Sequence, residues 1–460
     1  MPTFTQGYVE PGVYVKIQDV VLPALPPGAF VGALTGTGKS DKKISQEKVV
    51  KSSTKWTLAN KPILRLEKNI NGIEYVSGLD GTEYLKTTDF TIDYALGEIT
   101  QVPGGATLPD TIVVTYYISK VPAIDYDPKV FSSLDQVINE YGLADDDNDG
   151  AIENTLTLGA QVYFENGGGL LVCVQVESDD LAGHEAAIDK LKNVDVYCIV
   201  PLLACNSTTN TALINYIKSH VTQMSSTIER RERIALLGGP IGSDDKSDIE
   251  TSVTNYITTI TSVAKDRVGY LVPSEGKKTL STGQVVVDGP ILACAVAGII
   301  CNPAYTSGEP ISGKDLNGLD DITDIYTRYQ KNRMAAVGGM ILEKSGARMY
   351  IRHALSTDVS TVVTSELKIT RIKDFIARTM RDSLGAMFIN TRNVGTITLE
   401  SIKSACSLLL GGIIQLRDIV SYQNLTVVQN SVDPRQVDVS FQIRPSWDIN
   451  WILVTFGVSL

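Results

Sequence analysis

Residues Leu170–Val176 read LLVCVQV, an unbroken apolar run that follows the turn Asn166-Gly167-Gly168-Gly169. A strand with one wet face would alternate, so this run predicts a strand covered on both faces. The pattern then repeats downstream. Val194–Leu203 reads as a strand, Thr208–Glu232 as a helix, Ile234–Leu237 as a strand, Lys246–Ala264 as a helix and Val268–Val272 as a strand. Apolar strands alternating with amphipathic helices predict a parallel sheet with helices on both sides. The central fold class is therefore α/β, a doubly covered sheet over 23–40 and 121–355.

Upstream of that run the period is helical. Phe131, Leu134, Val137, Ile138 and Tyr141 fall on one helical face, with Ser132 or Ser133 available to cap the start and Gly142 to end it. A second helix is expected over Glu153–Glu165. Ala29–Leu34 (AFVGAL) is a short apolar strand leading into a glycine loop. Residues 41–120 then change character. They are rich in Thr, Tyr, Ile and Val, carry the turn pairs Asn71-Gly72, Asp80-Gly81 and Gly104-Gly105, and alternate clearly at Thr111–Tyr117. This predicts an inserted all-β module of five to seven short strands.

Both chain ends carry strand patterns without a local partner. In residues 1–22, Val13, Val15 and Ile17 alternate with Tyr14, Lys16 and Gln18, and prolines 11, 23, 26 and 27 flank them. A lone strand leaves its backbone donors and acceptors unpaired, so it must join a sheet elsewhere. Residues 356–460 read as an α+β block. Glu366–Asn390 and Leu399–Ile414 are helical, and Val420–Gln429, Gln436–Arg444 and Ile449–Val458 are strands. The last strand is nearly all apolar and opens a terminal arm, 446–460. Trp451, Leu453, Val454, Phe456 and Val458 are its candidate contacts with another chain.

The 460 residues are 43% hydrophobic and 20% charged, which excludes wholesale disorder. The net charge of −11 does not suit coating nucleic acid or an anionic membrane. Residues 321–460 hold 16 Lys and Arg against 12 Asp and Glu, so the acidic excess lies in the first 320. On the helix from Glu366, Lys368, Arg371, Arg378 and Arg381 fall on one broad face opposite Ile372, Phe375, Ile376 and Met380. Asp374 sits among the cations and can pair with Arg371 or Arg378. No secretory signal is visible at the start. The longest apolar run, Pro290–Cys301, is too short to span a bilayer and reads as a core helix or strand pair. The six cysteines sit mostly in apolar runs without CxxC spacing and are expected to be reduced core residues.

Few motifs carry chemistry. Ala33–Ser40 (ALTGTGKS) fits a relaxed phosphate loop in which Lys39 and Ser40 would meet phosphates. The helix that should follow is missing, because Asp41–Asn60 has no apolar face and leads into β structure. The alternative is a flexible loop entering the inserted module. Asp145, Asp147, Asp149 and Gly150 match the opening of a calcium loop, but Leu156 stands where a bidentate Glu belongs. A solvated acidic loop before a helix is the plainer reading. His184, His220 and His353 have neither metal spacing nor a nucleophile motif. No catalytic residue, metal ligand or cofactor is expected.

The ordered segments PGVYV (11–15), GAFVGALTGTG (28–38), FSSLDQVINEYG (131–142) and LTLGAQVYFENGGGLLVCVQV (156–176) make a recognisable series. DVYCIVPLL (195–203), ERRERIALLGG (229–239), LKITRIKDFIARTMRDSLGAMFI (367–389) and VDPRQVDVSFQIRPSWDINWILVTFGV (432–458) continue it. Together they resemble the contractile tail sheath proteins of bacteriophages and related contractile injection systems. The resemblance covers nearly the whole chain except 41–120. Two features depart from it: Cys173-Val174-Gln175-Val176 replaces the strand that usually holds a central arginine, and the tail after Pro445 is longer and more aromatic.

The resemblance implies a structural protein rather than an enzyme. Its subunits stack as six-membered rings around an inner tail tube and exchange terminal strands. They shorten on a baseplate trigger, driving the tube through a cell envelope. Expected partners are further copies of the chain, the tube, and the baseplate and tail terminator proteins, with no direct nucleic acid and no membrane insertion. The expected location is the virion, assembled in the host cytoplasm. Val13, Tyr14, Val15 and Ile17 would be intersubunit contacts, and Lys368, Arg371, Arg378 and Arg381 would face the tube. The competing readings are a nucleotide hydrolase using the 33–40 loop and a non-contractile virion surface protein.

Overall fold

The computed structural model describes residues 30–38, 41–119, 127–145, 150–176, 178–391 and 395–450. Its centre is an eight-stranded sheet. Across the sheet the strands are Lys129–Phe131, Leu171–Gln175, Gly32–Gly36, Cys198–Pro201, Ile234–Leu237, Val268–Val272, Gly339–Ser345 and Arg348–His353. The inner six run parallel and the two edge strands antiparallel. Leu34 sits between Cys173 and Val200, so the early strand is threaded into the middle of later ones.

The strands alternate between two cores. Leu34, Cys173, Cys198, Val200, Ile234 and Leu236 face one of them, and Ala33, Val172, Val174, Ile199, Ala235 and Leu237 the other. Helices Leu181–Lys190, Thr211–Met224 and Ile249–Val263 pack on the second face. Helices Thr155–Glu165 and Gly289–Ile300 pack on the first. Apolar runs read from sequence are thus strands buried on both faces. The run at 290–301 is a helix apolar all round, as a fully enclosed helix must be. It lies so close to Thr155–Glu165 that a Cβ on Gly298 would sit 2.3 Å from the Tyr163 carbonyl oxygen.

Residues 41–119 form a five-stranded and a three-stranded sheet, eight strands in all, around their own core of Trp56, Leu66, Phe90, Ile99 and Tyr116. Gly72, Gly81 and Gly104 take positive φ at the expected turns. The stretch without an apolar face is not loose: Asp41–Val50 is a ten-residue strand paired with Thr111–Ser119. Backbone pairing requires no apolar face, so composition concealed it.

The carboxyl-terminal block holds the helices Leu367–Phe388 and Thr396–Gln415 and a hairpin of Ile419–Gln429 with Val437–Pro445. Its Ile372, Phe375, Ile376 and Met380 belong to the same core as the first sheet face. Phe30 stacks on Tyr197 and meets the Phe375 ring edge-on. Thr396–Gln415 is long and apolar enough, by length and composition alone, to cross a membrane. Its Ile402, Cys406, Leu410 and Ile413 form a buried stripe against the subunit.

Some elements were not visible in the sequence. Helices Leu181–Lys190 and Arg328–Ala336, and the hairpin Glu275–Leu280 with Gly283–Asp288, are additions. The first helix is shorter than its apolar period, starting at Leu134. Ser133 stands at its N-cap without a side-chain cap bond, while Gly142 ends it with its amide on the Ile138 carbonyl.

Candidate functional site

The glycine loop after the first central strand is filled by the protein itself. The Thr37 amide donates to Thr155 Oγ1 at 2.8 Å, and the Leu156 amide donates to the Thr37 carbonyl at 3.0 Å. Gln175 Nε2 donates to the Gly38 carbonyl at 2.7 Å. A Cβ on Gly36 would meet Thr155 Oγ1 at 2.6 Å, and one on Gly38 would meet Tyr141 at 2.6 Å. Gly36 allows close packing of the 155–165 helix and Gly38 that of Tyr141 at the end of the 134–141 helix, and a strand rather than a helix follows. That is not a phosphate cradle. Lys39 and Ser40 lie outside the described residues.

Of the acidic loop, Asp147 and Asp149 lie outside the described residues. Asp145 is buried and accepts the Gly150 amide at 3.0 Å together with the Thr282 hydroxyl. Among the described residues no group of three His, Cys, Asp or Glu side chains is placed to hold a metal.

The histidines are packing residues. His184 lies between Thr35 Oγ1 (2.9 Å) and Asp179 Oδ1 (3.0 Å), which superficially resembles a nucleophile, base and acid. Thr35 is fully buried inside the sheet, so no substrate carbonyl can reach its hydroxyl. His220 contacts Arg233 at 3.2 Å; burial and that guanidinium push its pKa down to about 3, so it is neutral. All six cysteines are buried free thiols. Burial pushes Cys205 up to about 12 and Cys406 up to about 11, which removes thiolate character.

The ionic groups gather elsewhere, along the long helix Leu367–Phe388 where it crosses the central sheet. Arg267, just before the strand Val268–Val272, donates both terminal nitrogens to the wholly buried Asp374 at 2.7 Å each. The Tyr197 hydroxyl donates to the same carboxylate at 3.1 Å. Burial pushes the Asp374 carboxyl up, and Arg267 opposes that shift. Arg371, 1% exposed, donates to the carbonyls of Thr306 and Glu309 at 3.1 Å each. Arg378 donates to the Glu232 carbonyl at 2.6 Å and pairs with Asp195 at 2.9 Å. Arg381 donates to the Arg230 carbonyl at 2.7 Å and pairs with Glu232. Lys368 pairs with Asp448 at 2.6 Å.

The expected outward basic face is therefore corrected. Lys368, Arg371, Arg378 and Arg381 turn to the body of their own subunit, where they satisfy carbonyls and carboxylates. Helical spacing places residues on a face but does not say that loops 306–309 and 230–232 cover it. Nor did it reveal that the partner of Asp374 is Arg267, over a hundred residues away. Glu232, Asp448 and Asp418, whose carboxylate accepts the Thr306 and Ser307 hydroxyls at 2.6 and 3.0 Å, were also missed; each is an acid whose role depends on tertiary contact. The arm residues Val13, Tyr14, Val15, Ile17, Trp451, Leu453, Val454, Phe456 and Val458 lie outside the described residues.

The arrangement is mechanical. It welds a long helix to a sheet through paired, enclosed charges and leaves no described reactive group in a cleft. No protein-family profile matches the chain. Over 453 residues, it is 23% identical to a tail sheath protein of Mycobacterium phage Bxz1, covering 93% of this chain and 74% of the relative. The fold matches the helical sheath of the anti-feeding prophage in its contracted state with a TM-score of 0.57 at 11% identity, over 100% of both chains. It also matches the contracted sheath of the extracellular contractile injection system PVC, with a TM-score of 0.55 at 12% identity, over 99% of both chains.

Proposed function

We propose that this chain is a structural subunit of a contractile tail sheath, of the kind found in phages and related contractile injection systems. One observation carries the reading. Sequence similarity to a named tail sheath protein runs over 453 residues, and the fold covers the whole length of a sheath chain. The similarity is not confined to one α/β unit, whose fold alone would say little about function.

In this reading subunits stack as six-membered rings around an inner tube. Contraction is a change between two packings of one chain, with the extended packing trapped at assembly, so no nucleotide is consumed. The filled loop at Gly36–Gly38 agrees with that. The subunit divides into an arm (1–22), a central body (23–40 and 121–355), an inserted module (41–120) and a carboxyl-terminal block (356–460). The arms 1–22 and 446–460 add strands to neighbouring subunits, where continuous backbone hydrogen bonds hold neighbours together while they shift. The module 41–120, with its own core, projects outward, since insertions are tolerated at exposed loops. The partners are further copies, the inner tube, the baseplate and the terminator. The particle is a virion tail or a related device, assembled in the host cytoplasm.

Deleting residues 1–20 tests the strand exchange. The truncated protein should be soluble, folded and unable to form cylinders. Normal polymerisation of the truncated protein would overturn this role for the arm.

A further inference from the structure

The hairpin ends at Pro445, and the next five residues, outside any helix or strand, lie on the subunit surface. Ser446 is the inner anchor: its amide and hydroxyl both donate to the Asp418 carbonyl, at 3.1 and 2.9 Å. Asp448 accepts from Lys368 Nζ at 2.6 Å. Asn450 Nδ2 reaches Glu366 Oε1 and His353 Nε2 at 3.3 Å each, and His353 and Glu366 are themselves 2.9 Å apart. Alternate residues thus face inward, and each inward contact is polar. The residues between them face outward: Trp447 is 45% exposed and Ile449 84% exposed. Among the described residues 446–450, neither apolar side chain is buried in its own subunit.

We propose that residues 446–450 are a releasable strap that stores length for the terminal arm. The inference rests on reading 446–460 as an intersubunit arm. Peeling Asp448 and Asn450 away from Lys368, Glu366 and His353, with the Ser446 anchor following, adds five residues and about 17 Å of reach. Asn450 is exposed and parts first, while the Lys368–Asp448 pair, its side chains 8% and 15% exposed, is the latch that must be pulled open; each group released is hydrophilic and regains water, and no apolar core is uncovered. An apolar root could not do this, because its burial would be lost all at once. A second copy of the chain, holding the arm and moving away, draws out the slack.

The test is a proximity cross-link in the full chain. Glu366→Cys with Asn450→Cys adds one partly buried and one exposed thiol to a protein whose own cysteines are all buried. Lys368→Cys with Asp448→Cys is the second pair, used should the first not fold. Each is oxidised with diamide in dispersed subunits and in contracted cylinders. The strap account predicts rapid disulfide formation in subunits and at least tenfold slower formation in cylinders. Equal rates in the two would overturn it. Electron microscopy of the unmodified protein judges the sheath reading separately, so failure of one is not mistaken for failure of the other.

Discussion

Asp374 and Arg267 form a bidentate ion pair inside the subunit, with both nitrogen-to-oxygen distances at 2.7 Å and the carboxylate wholly buried. They join the carboxyl-terminal helix to a strand of the central sheet. Two charges withdrawn from water are tolerated only because each satisfies the other, with Tyr197 as a third partner. Removing one partner strands the other. Asp374→Ala or Arg267→Ala should each cost about 3–5 kcal/mol in urea unfolding of the subunit. The double replacement Asp374→Leu with Arg267→Met should cost clearly less than the two single losses added. Additive losses would mean that the pair is not coupled.

Asp288 caps the buried helix Gly289–Ile300 through the Ile291 amide at 3.4 Å. Burial, with the charge of Asp179 nearby, pushes its carboxyl up to about 7. In the unfolded chain an aspartate titrates near ~3.9. The folded value is the higher one, so its stabilising contribution is complete below ~3.9 and is lost as pH rises through about 7. Asp288→Asn keeps the capping oxygen and removes the titration. At pH 8 it should raise stability over the parent by on the order of 2 kcal/mol, allowing for partial solvent access, and at pH 4 by nearly nothing. Melting curves at the two pH values decide; an equal shift at both would contradict the account.

His220 behaves in the opposite sense. Its folded value of about 3 lies below the ~6.5 of an unfolded histidine. The unfolded chain therefore takes up the proton first, and stability falls as pH drops from ~6.5 toward about 3. His220→Gln should flatten that part of the stability profile relative to the parent while leaving pH 8 little changed apart from packing. A parallel acid limb in both proteins would show that His220 is not the group responsible.

Gly298 permits the close approach of two helices that cover one sheet face. A methyl group there would stand 2.3 Å from the Tyr163 carbonyl oxygen and 2.9 Å from Asn166 Cβ. Both obstacles belong to a packed helix end, so neither can swing away. Gly298→Ala should destabilise by about 1–3 kcal/mol despite its better helix propensity. A variant as stable as the parent would mean that the helices separate freely.

What the sequence revealed follows from how local each signal is. IALL and VGYLV mark strands with the bounds seen in the structure, because a doubly covered strand must be apolar at every position. Helix Leu181–Lys190 was missed because its alanine, glycine and polar residues give little apolar period; only His184, Ala187 and Ile188 are buried. The cations of the long helix were assigned to the wrong surroundings for a different reason. Their periodicity was sound, but the covering carbonyls of Thr306, Glu309, Arg230 and Glu232 come from distant parts of the chain. Lys368 meets Asp448 only after the hairpin has turned back, a contact across 80 positions.

The central claim is that the chain polymerises as a sheath, and electron microscopy of the purified full-length protein tests it most directly. The account predicts ribbed hollow cylinders with six subunits per ring in cross-section. Isolated particles or flat lattices at every concentration and salt tried would contradict it.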